Sequence, residues 1–291
     1  MSATPTDEAA EPADEPPAAP APAAPPPAEA VEAPATEPVQ IERVQPEPFA
    51  ALSDDAFLGG RLRLWQPVEG YRAATDPVLL AAACPARPGQ SVLDLGAGAG
   101  AAALCLHVRV PALRLTGLEI QPSYAALSRR NAARAGAAWR VHEGDALRPP
   151  SALRAETFDH VLTNPPFFAA DAGPPLDDPG RDRAHREQVP LGDWIDAALR
   201  RLKPFGALTV IQRAERVPEI LAALAGRAGA IELIPLWPRP GRPAKRVLLR
   251  AVKESRGPFI LRAGLVLHPE AGEGFTPEAE AILRDGAPFA P

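Results

Sequence analysis

Cysteine, methionine, tyrosine and histidine are all scarce in this chain of 291 residues: two Cys, one Met, two Tyr and five His. Cys84 and Cys105 sit among alanines and leucines, with no disulfide or zinc spacing, and read as small apolar filler. The histidines are scattered without metal-like pairing, so no metal is expected. No apolar run approaches a membrane-spanning length, and the acidic N-terminus lacks the apolar core of a signal peptide. The chain is therefore expected to be soluble and cytoplasmic. It shows no internal repeat.

Proline and alanine, by contrast, are abundant and unevenly placed. Residues 1–48 hold 13 of the 38 prolines, with almost no aromatic or branched apolar side chains. Such a segment cannot bury enough apolar surface to offset its ordering entropy, and is expected to be a disordered tail. It carries ten acids and one base, Arg43, which accounts for the overall charge of −5. Residues 49–291 keep 30 bases against 26 acids and are long enough for one domain with a large core. That mildly basic balance permits an anionic partner without requiring one.

From residue 91 short apolar runs alternate with amphipathic stretches. Strands are expected at Ser91–Leu95, Leu113–Ile120, Trp139–Asp145, Phe158–Asn164 and Ala207–Gln212. Helices are expected from Ala101 to about Arg109, from Pro122 to a cap at Gly136, from Leu191 to Leu202, and over Pro218–Arg227. The run Lys203-Pro204-Phe205-Gly206 reads as a helix stop, and Ile231–Trp237 and Val247–Val252 as an antiparallel pair. Strands alternating with helices imply an α/β fold, a mostly parallel, doubly wound sheet covered on both faces.

The first strand ends in Asp94-Leu95-Gly96-Ala97-Gly98-Ala99-Gly100. Glycines at a strand-to-helix turn let the backbone pass close to a ligand that a Cβ would obstruct. Several nucleotide folds share this feature, but the spacing is G-x-G-x-G, whereas the dinucleotide fingerprint is G-x-G-x-x-G. Asp94 would repel a pyrophosphate and suits the cationic methionyl end of S-adenosylmethionine. Glu119, ending the second strand, is placed to accept from two ribose hydroxyls, which supports a nucleoside without choosing one. Asp145, after the third strand, could accept from an adenine amino group.

Asn164-Pro165-Pro166-Phe167-Phe168 follows the fourth strand. Two prolines cannot continue a central strand, so the chain must turn outward at the carboxyl edge, where ligands bind in open α/β sheets. An exocyclic amine or amide nitrogen is a poor nucleophile because its lone pair is delocalised. The Asn164 amide oxygen and the Pro165 carbonyl can each accept one N–H and aim that lone pair. Phe167 can stack on the planar group and tolerate positive charge over its face. No strong base is needed, because positioning and electrostatics supply the rate.

With these motifs the chain resembles a Rossmann-like class I methyltransferase of the amino-methylating branch, and more narrowly the bacterial tRNA(Val) adenine-N6 methyltransferases. The narrower likeness rests on Phe57-Leu58-Gly59-Gly60-Arg61-Leu62, on Gly70-Tyr71-Arg72-Ala73-Ala74-Thr75-Asp76-Pro77-Val78-Leu79-Leu80, and on Asn-Pro-Pro followed by two aromatics. It spans roughly residues 55–285. The resemblance implies a seven-stranded sheet with an antiparallel last strand, and methylation of the adenosine 3′ of the anticodon by a metal-free monomer. It also assigns cofactor contacts to Asp94, Gly96, Gly98, Gly100, Glu119 and Asp145, and the catalytic tetrad to Asn164, Pro165, Pro166 and Phe167. Thr75 and Asp76 are expected to line the same cleft.

The Asn-Pro-Pro-aromatic motif is shared by release-factor glutamine-N5, rRNA guanine-N2 and DNA adenine methyltransferases. The guanine-N2 enzymes typically carry His where this chain has Phe168, and the glutamine enzymes bring a helical N-terminal domain that residues 1–55 cannot form. A non-catalytic nucleotide-binding scaffold would not need the tetrad. Finally, Arg239, Arg242, Lys245, Arg246, Arg250, Lys253, Arg256 and Arg262 stand against one acid, Glu254. Arg242, Lys245 and Arg246 are candidates for tRNA phosphate contacts, and alternation is expected to bury Val247 and Leu249 while Arg250 faces away.

Overall fold

The computed structural model describes residues 49–165 and 189–289. The Ala/Pro/Glu-rich stretch 1–48 and residues 166–188, which include Pro166, Phe167, Phe168 and the basic stretch around Arg181–Arg186, lie outside the described residues.

A hairpin of β1 (Leu52–Phe57) and β2 (Leu62–Pro67) precedes helix α1 (Thr75–Ala83). Then follow β3 (Ser91–Leu95), α2 (Ala101–Arg109), β4 (Arg114–Glu119), α3 (Pro122–Arg134), β5 (Trp139–Glu143), a short α4 (Ser151–Arg154) and β6 (Phe158–Thr163). After the gap come α5 (Leu191–Arg200), β7 (Leu202–Arg213), α6 (Val217–Leu224), β8 (Ala228–Trp237), β9 (Arg246–Lys253), the two-residue strands β10 (Ile260–Leu261) and β11 (Leu265–Val266), and α7 (Pro277–Asp285).

Among the described residues, β3 to β11 form one sheet in the order β10-β8-β9-β7-β6-β3-β4-β5, with β11 also on β8. The pairings among β3 to β7 are parallel, and β9 runs antiparallel to both β7 and β8. The expected seven strands and antiparallel last long strand are therefore present, and β10 and β11 add to them at one edge.

Each buried strand feeds two cores. Val92, Leu115, Leu162, Ile211 and Leu248 pack on one face with α1, α2 and α7. Leu93, Leu118, Val161, Leu208, Val210 and Leu249 pack on the other with α4, α5 and α6. Burial on both faces is why these segments read as continuous apolar runs.

Three local expectations need correction. Lys203–Gly206 does not separate helix from strand, because β7 already pairs with β6 at Leu202–Phe158. The register then jumps to Ala207–His160, and the excess residues swing out with Phe205 exposed at φ 59°. Along β9, Leu248 is as buried as Val247 and Leu249, because helices cover both faces. Arg250 is not turned to solvent either: it forms an ion pair with Glu232 on β8.

The β1–β2 hairpin is not expected from the sequence pattern. It is fastened through Asn131 of α3, whose Oδ1 accepts the Trp65 N–H at 2.7 Å and whose Nδ2 donates to the Trp65 carbonyl at 3.0 Å. The same Nδ2 donates to the carbonyl of Ala99 at 3.0 Å, linking the hairpin to the glycine turn.

Candidate active site

The order β6-β3-β4-β5 reverses direction of travel at β3, and the carboxyl ends flanking such a switch point form a crevice. A cleft of about 260 Å³ opens there. Its lining includes Asp94, Gly96 and Gly98 from the first turn, Glu119 and Gln121 after β4, Asp145 after β5, and Asn164 and Pro165 after β6. Gly100 lies just behind, as the N-cap of α2 at φ 86°.

The turn after β3 is built by backbone geometry. Gly96 has φ 79°, and its N–H and that of Ala97 both donate to the Leu118 carbonyl, at 2.9 and 3.0 Å. A Cβ at Gly96 would stand 3.0 Å from the Trp194 ring, so only glycine leaves room for both the indole and a ligand. Trp194 is itself fixed, its Nε1–H donating to Thr163 Oγ1 at 3.0 Å.

The carboxylates are held inside this wall. Asp94, 3% exposed, accepts the Ala103 N–H at 3.2 Å at the start of α2. Burial, with a further contribution from Glu119, pushes its carboxyl up to about 7. Glu119, 6% exposed, accepts the N–H of Gly98 and that of Gln121, each at 2.8 Å. Its carboxyl is raised by burial as well, against the lowering effect of those N–H groups. Asp145 accepts the Leu147 N–H at 2.9 Å. Among the described residues no Lys or Arg lines the cleft, so none of them would neutralise a pyrophosphate. A nucleoside carrying positive charge fits: the turn offers backbone surface, and two carboxylates strained by burial gain from a cation beside them.

At the other end of the cleft, Asn164 Oδ1 is buried without a hydrogen-bond partner among the described residues. Such an orphan costs about 1–3 kcal/mol, which an incoming N–H would recover. The neighbouring Pro165 carbonyl accepts Gln212 Nε2 at 3.4 Å, and its second lone pair has no partner among the described residues. Pro166 and Phe167 lie outside the described residues.

Of the other candidates, Thr75 and Asp76 begin α1 between the lining residues Ala73 and Pro77, and neither lines the cleft. Asp76 instead forms an ion pair with Arg246 at 2.9 Å, joining α1 to the start of β9. Arg242 and Lys245 are exposed, with no side-chain partner among the described residues. Sequence reading missed Tyr71, Gln66 and Trp194, which line the cleft, and Gln212 behind it. The chain's two tyrosines meet here, the Tyr71 N–H donating to the Tyr124 hydroxyl at 2.8 Å.

A parallel sheet with its glycine turn and acidic, cation-accepting cleft at the switch point defines a class I S-adenosylmethionine-dependent methyltransferase. The comparisons with known proteins then narrow the class. The methyltransferase small domain matches residues 74–232. A tRNA1(Val) (adenine(37)-N6)-methyltransferase from Porphyromonas gingivalis is 32% identical over 240 residues, covering 77% of this chain and 91% of the relative. One from Aeromonas hydrophila is 32% identical, covering 62% and 75%. Among solved structures, a predicted O-methyltransferase from Agrobacterium tumefaciens matches with a TM-score of 0.61 and 31% identity, over 74% of this chain and 99% of that one. The chain belongs to the methyltransferase small-domain family and, within it, to the tRNA1(Val) (adenine(37)-N6)-methyltransferases.

Proposed function

We propose that the protein methylates the exocyclic N6 of an adenosine in tRNA, in the anticodon loop of tRNA1(Val), as a cytoplasmic monomer without metal. The observation that carries this is the buried Asn164 Oδ1 on the cleft wall, without a hydrogen-bond partner among the described residues. When bound, S-adenosylmethionine supplies an activated methyl group on a sulfonium. Asp94 faces its methionyl end, Glu119 the ribose and Asp145 the adenine, around the turn from Gly96 to Gly100. Asn164 Oδ1 and the Pro165 carbonyl take the two N–H groups of the target amine and turn its lone pair toward the methyl. Pro166 and Phe167, which complete the tetrad, lie outside the described residues; the family resemblance assigns Phe167 the stacking role on the adenine.

An amide and a carbonyl accept hydrogen bonds but hold no proton at neutral pH, so these two groups suit an amine rather than a hydroxyl acceptor. This separates the chain's chemistry from the O-methyl transfer named for the Agrobacterium protein. The names of the Porphyromonas and Aeromonas relatives point to the same amine.

The RNA is met at the loop between β8 and β9. Because β8 runs with the parallel strands and β9 against them, this loop stands at the same sheet edge as the cleft. Arg239 is spent structurally on the carbonyls of Pro269 and Gly272, and Arg250 and Arg262 on Glu232. Arg242 and Lys245 are left to meet phosphates, with Arg246 held nearby by Asp76. Labelled cofactor offered with tRNA, rRNA and release factor tests the reading. Label in N6-methyladenosine of tRNA is expected, and label in guanosine or glutamine instead overturns it.

A further inference from the structure

The Asn164 amide is useful only if its oxygen, not its nitrogen, faces the target amine. Within the amide the two ends are similar in size, so something outside it must set the orientation. Asn164 Nδ2 lies 3.4 Å from the Tyr71 hydroxyl, a long hydrogen bond in which the amide donates and the phenol oxygen accepts. The Asn164 oxygen has no partner among the described residues, and Asn164 lines the cleft.

Tyr71 is itself held with unusual firmness for a residue in the loop before α1. The Tyr124 hydroxyl accepts the Tyr71 N–H at 2.8 Å and donates to the Tyr71 carbonyl at 3.2 Å. Tyr124 is 2% exposed and braced edge-on by Phe49 at 5.1 Å. The Tyr71 ring also reaches the glycine turn, since a Cβ at Gly98 would stand 3.8 Å from it. Burial, and then the Asp76 charge, hold the Tyr71 phenol well above its ordinary ionisation range, so the hydroxyl is neutral wherever the enzyme works.

We propose that Tyr71 is a positioning residue that acts through Asn164: its hydroxyl fixes the amide with the oxygen toward the methyl-accepting nitrogen. This rests on the reading of Asn164 given above, and a double-mutant cycle separates the two. Turnover of tRNA at saturating cofactor is measured for wild type, Tyr71→Phe, Asn164→Ala and the double variant, with cofactor affinity by calorimetry. The Phe ring preserves the cleft wall. Tyr71→Phe is expected to lower kcat roughly tenfold, as loss of one alignment bond does, while KM for tRNA and cofactor affinity move less than about twofold. In the Asn164→Ala background the same change is expected to have no further effect.

An equal loss in both backgrounds, or none in wild type, overturns the positioning role while leaving Asn164 in place. Full activity in Asn164→Ala alone overturns the reading of the site itself.

Discussion

Replacing Gly96 by alanine tests how the cleft is made, and Gly136→Ala supplies the control. Both glycines have positive φ, 79° and 64°. Gly136 closes α3: its N–H donates to the Ala133 carbonyl at 3.2 Å, and that of Ala137 to the Ala132 carbonyl at 3.0 Å. A Cβ there meets nothing within 4 Å, so the cost is the backbone strain alone, about 1 kcal/mol. At Gly96 the same strain applies, and the new methyl stands 3.0 Å from the Trp194 ring. The indole must give way by a few tenths of an ångström, and the contact with the strained hydrogen bond to Thr163 adds about 1–2 kcal/mol. The total is about 2–3 kcal/mol. Urea denaturation is therefore expected to show Gly96→Ala as the less stable variant by about 1–2 kcal/mol. Calorimetry should show at least about tenfold weaker cofactor binding in Gly96→Ala and unchanged binding in Gly136→Ala, since a displaced ring and a new methyl occupy the cleft only at Gly96. Equal stability loss with equal cofactor affinity in the two variants would refute this account of the turn.

Three more outcomes follow from the same geometry. Asp94 has its carboxyl raised from 3.8 to about 7, so it favours folding below about pH 4 and that contribution fades as pH rises through about 7. A cation beside it favours the ionised form, so S-adenosylmethionine affinity should rise about tenfold between about pH 6 and 8, and Asp94→Asn should abolish that dependence; a flat wild-type profile would exclude Asp94 from cation binding. Asn164→Ala should keep cofactor affinity while lowering kcat about a hundredfold, because its hydrogen bond matters most in the transition state. Arg242→Glu with Lys245→Glu should weaken tRNA binding at low salt and lower the log–log salt slope by about 1–2, with cofactor binding untouched; an unchanged slope would remove the loop from the interface.

Much of the fold is legible in the sequence because buried parallel strands between helices leave a plain pattern. Val92, Leu93 and Leu95 must all be apolar when two cores claim them. The hairpin is not legible, because β1 reads Leu-Ser-Asp-Asp-Ala-Phe, and two adjacent acids argue against a strand. In the structure Asp54 pairs with Arg63 and Arg134, and Asp55 with Arg72, partners up to 80 residues away. Those arginines, Arg134 first, hold the Asp54 carboxyl down at about 2.

The same distinction runs through the site. Asp94, Glu119 and Asn164 can be found because each stands at a strand end, at a fixed spacing from the glycine turn. Tyr71 and Trp194 cannot, because what matters is a contact across 93 residues in one case and 31 in the other. The basic run is only partly legible for a related reason. Eight cations look alike in sequence, yet Arg239, Arg250, Lys253 and Arg262 are bound to carbonyls or to Glu232, and only the fold separates them from Arg242 and Lys245.

The most direct test of the central claim asks whether the methyl goes to the exocyclic amine that Asn164 is placed to receive. A tRNA1(Val) transcript and its counterpart with inosine in place of the adenosine 3′ of the anticodon are incubated with enzyme and labelled S-adenosylmethionine, then digested for nucleoside mass spectrometry. Inosine keeps the purine and replaces the amine by a carbonyl. N6-methyladenosine from the first transcript and no label from the second is the predicted result. Equal labelling of both transcripts, or label on a ribose or another base in the first, would contradict the account.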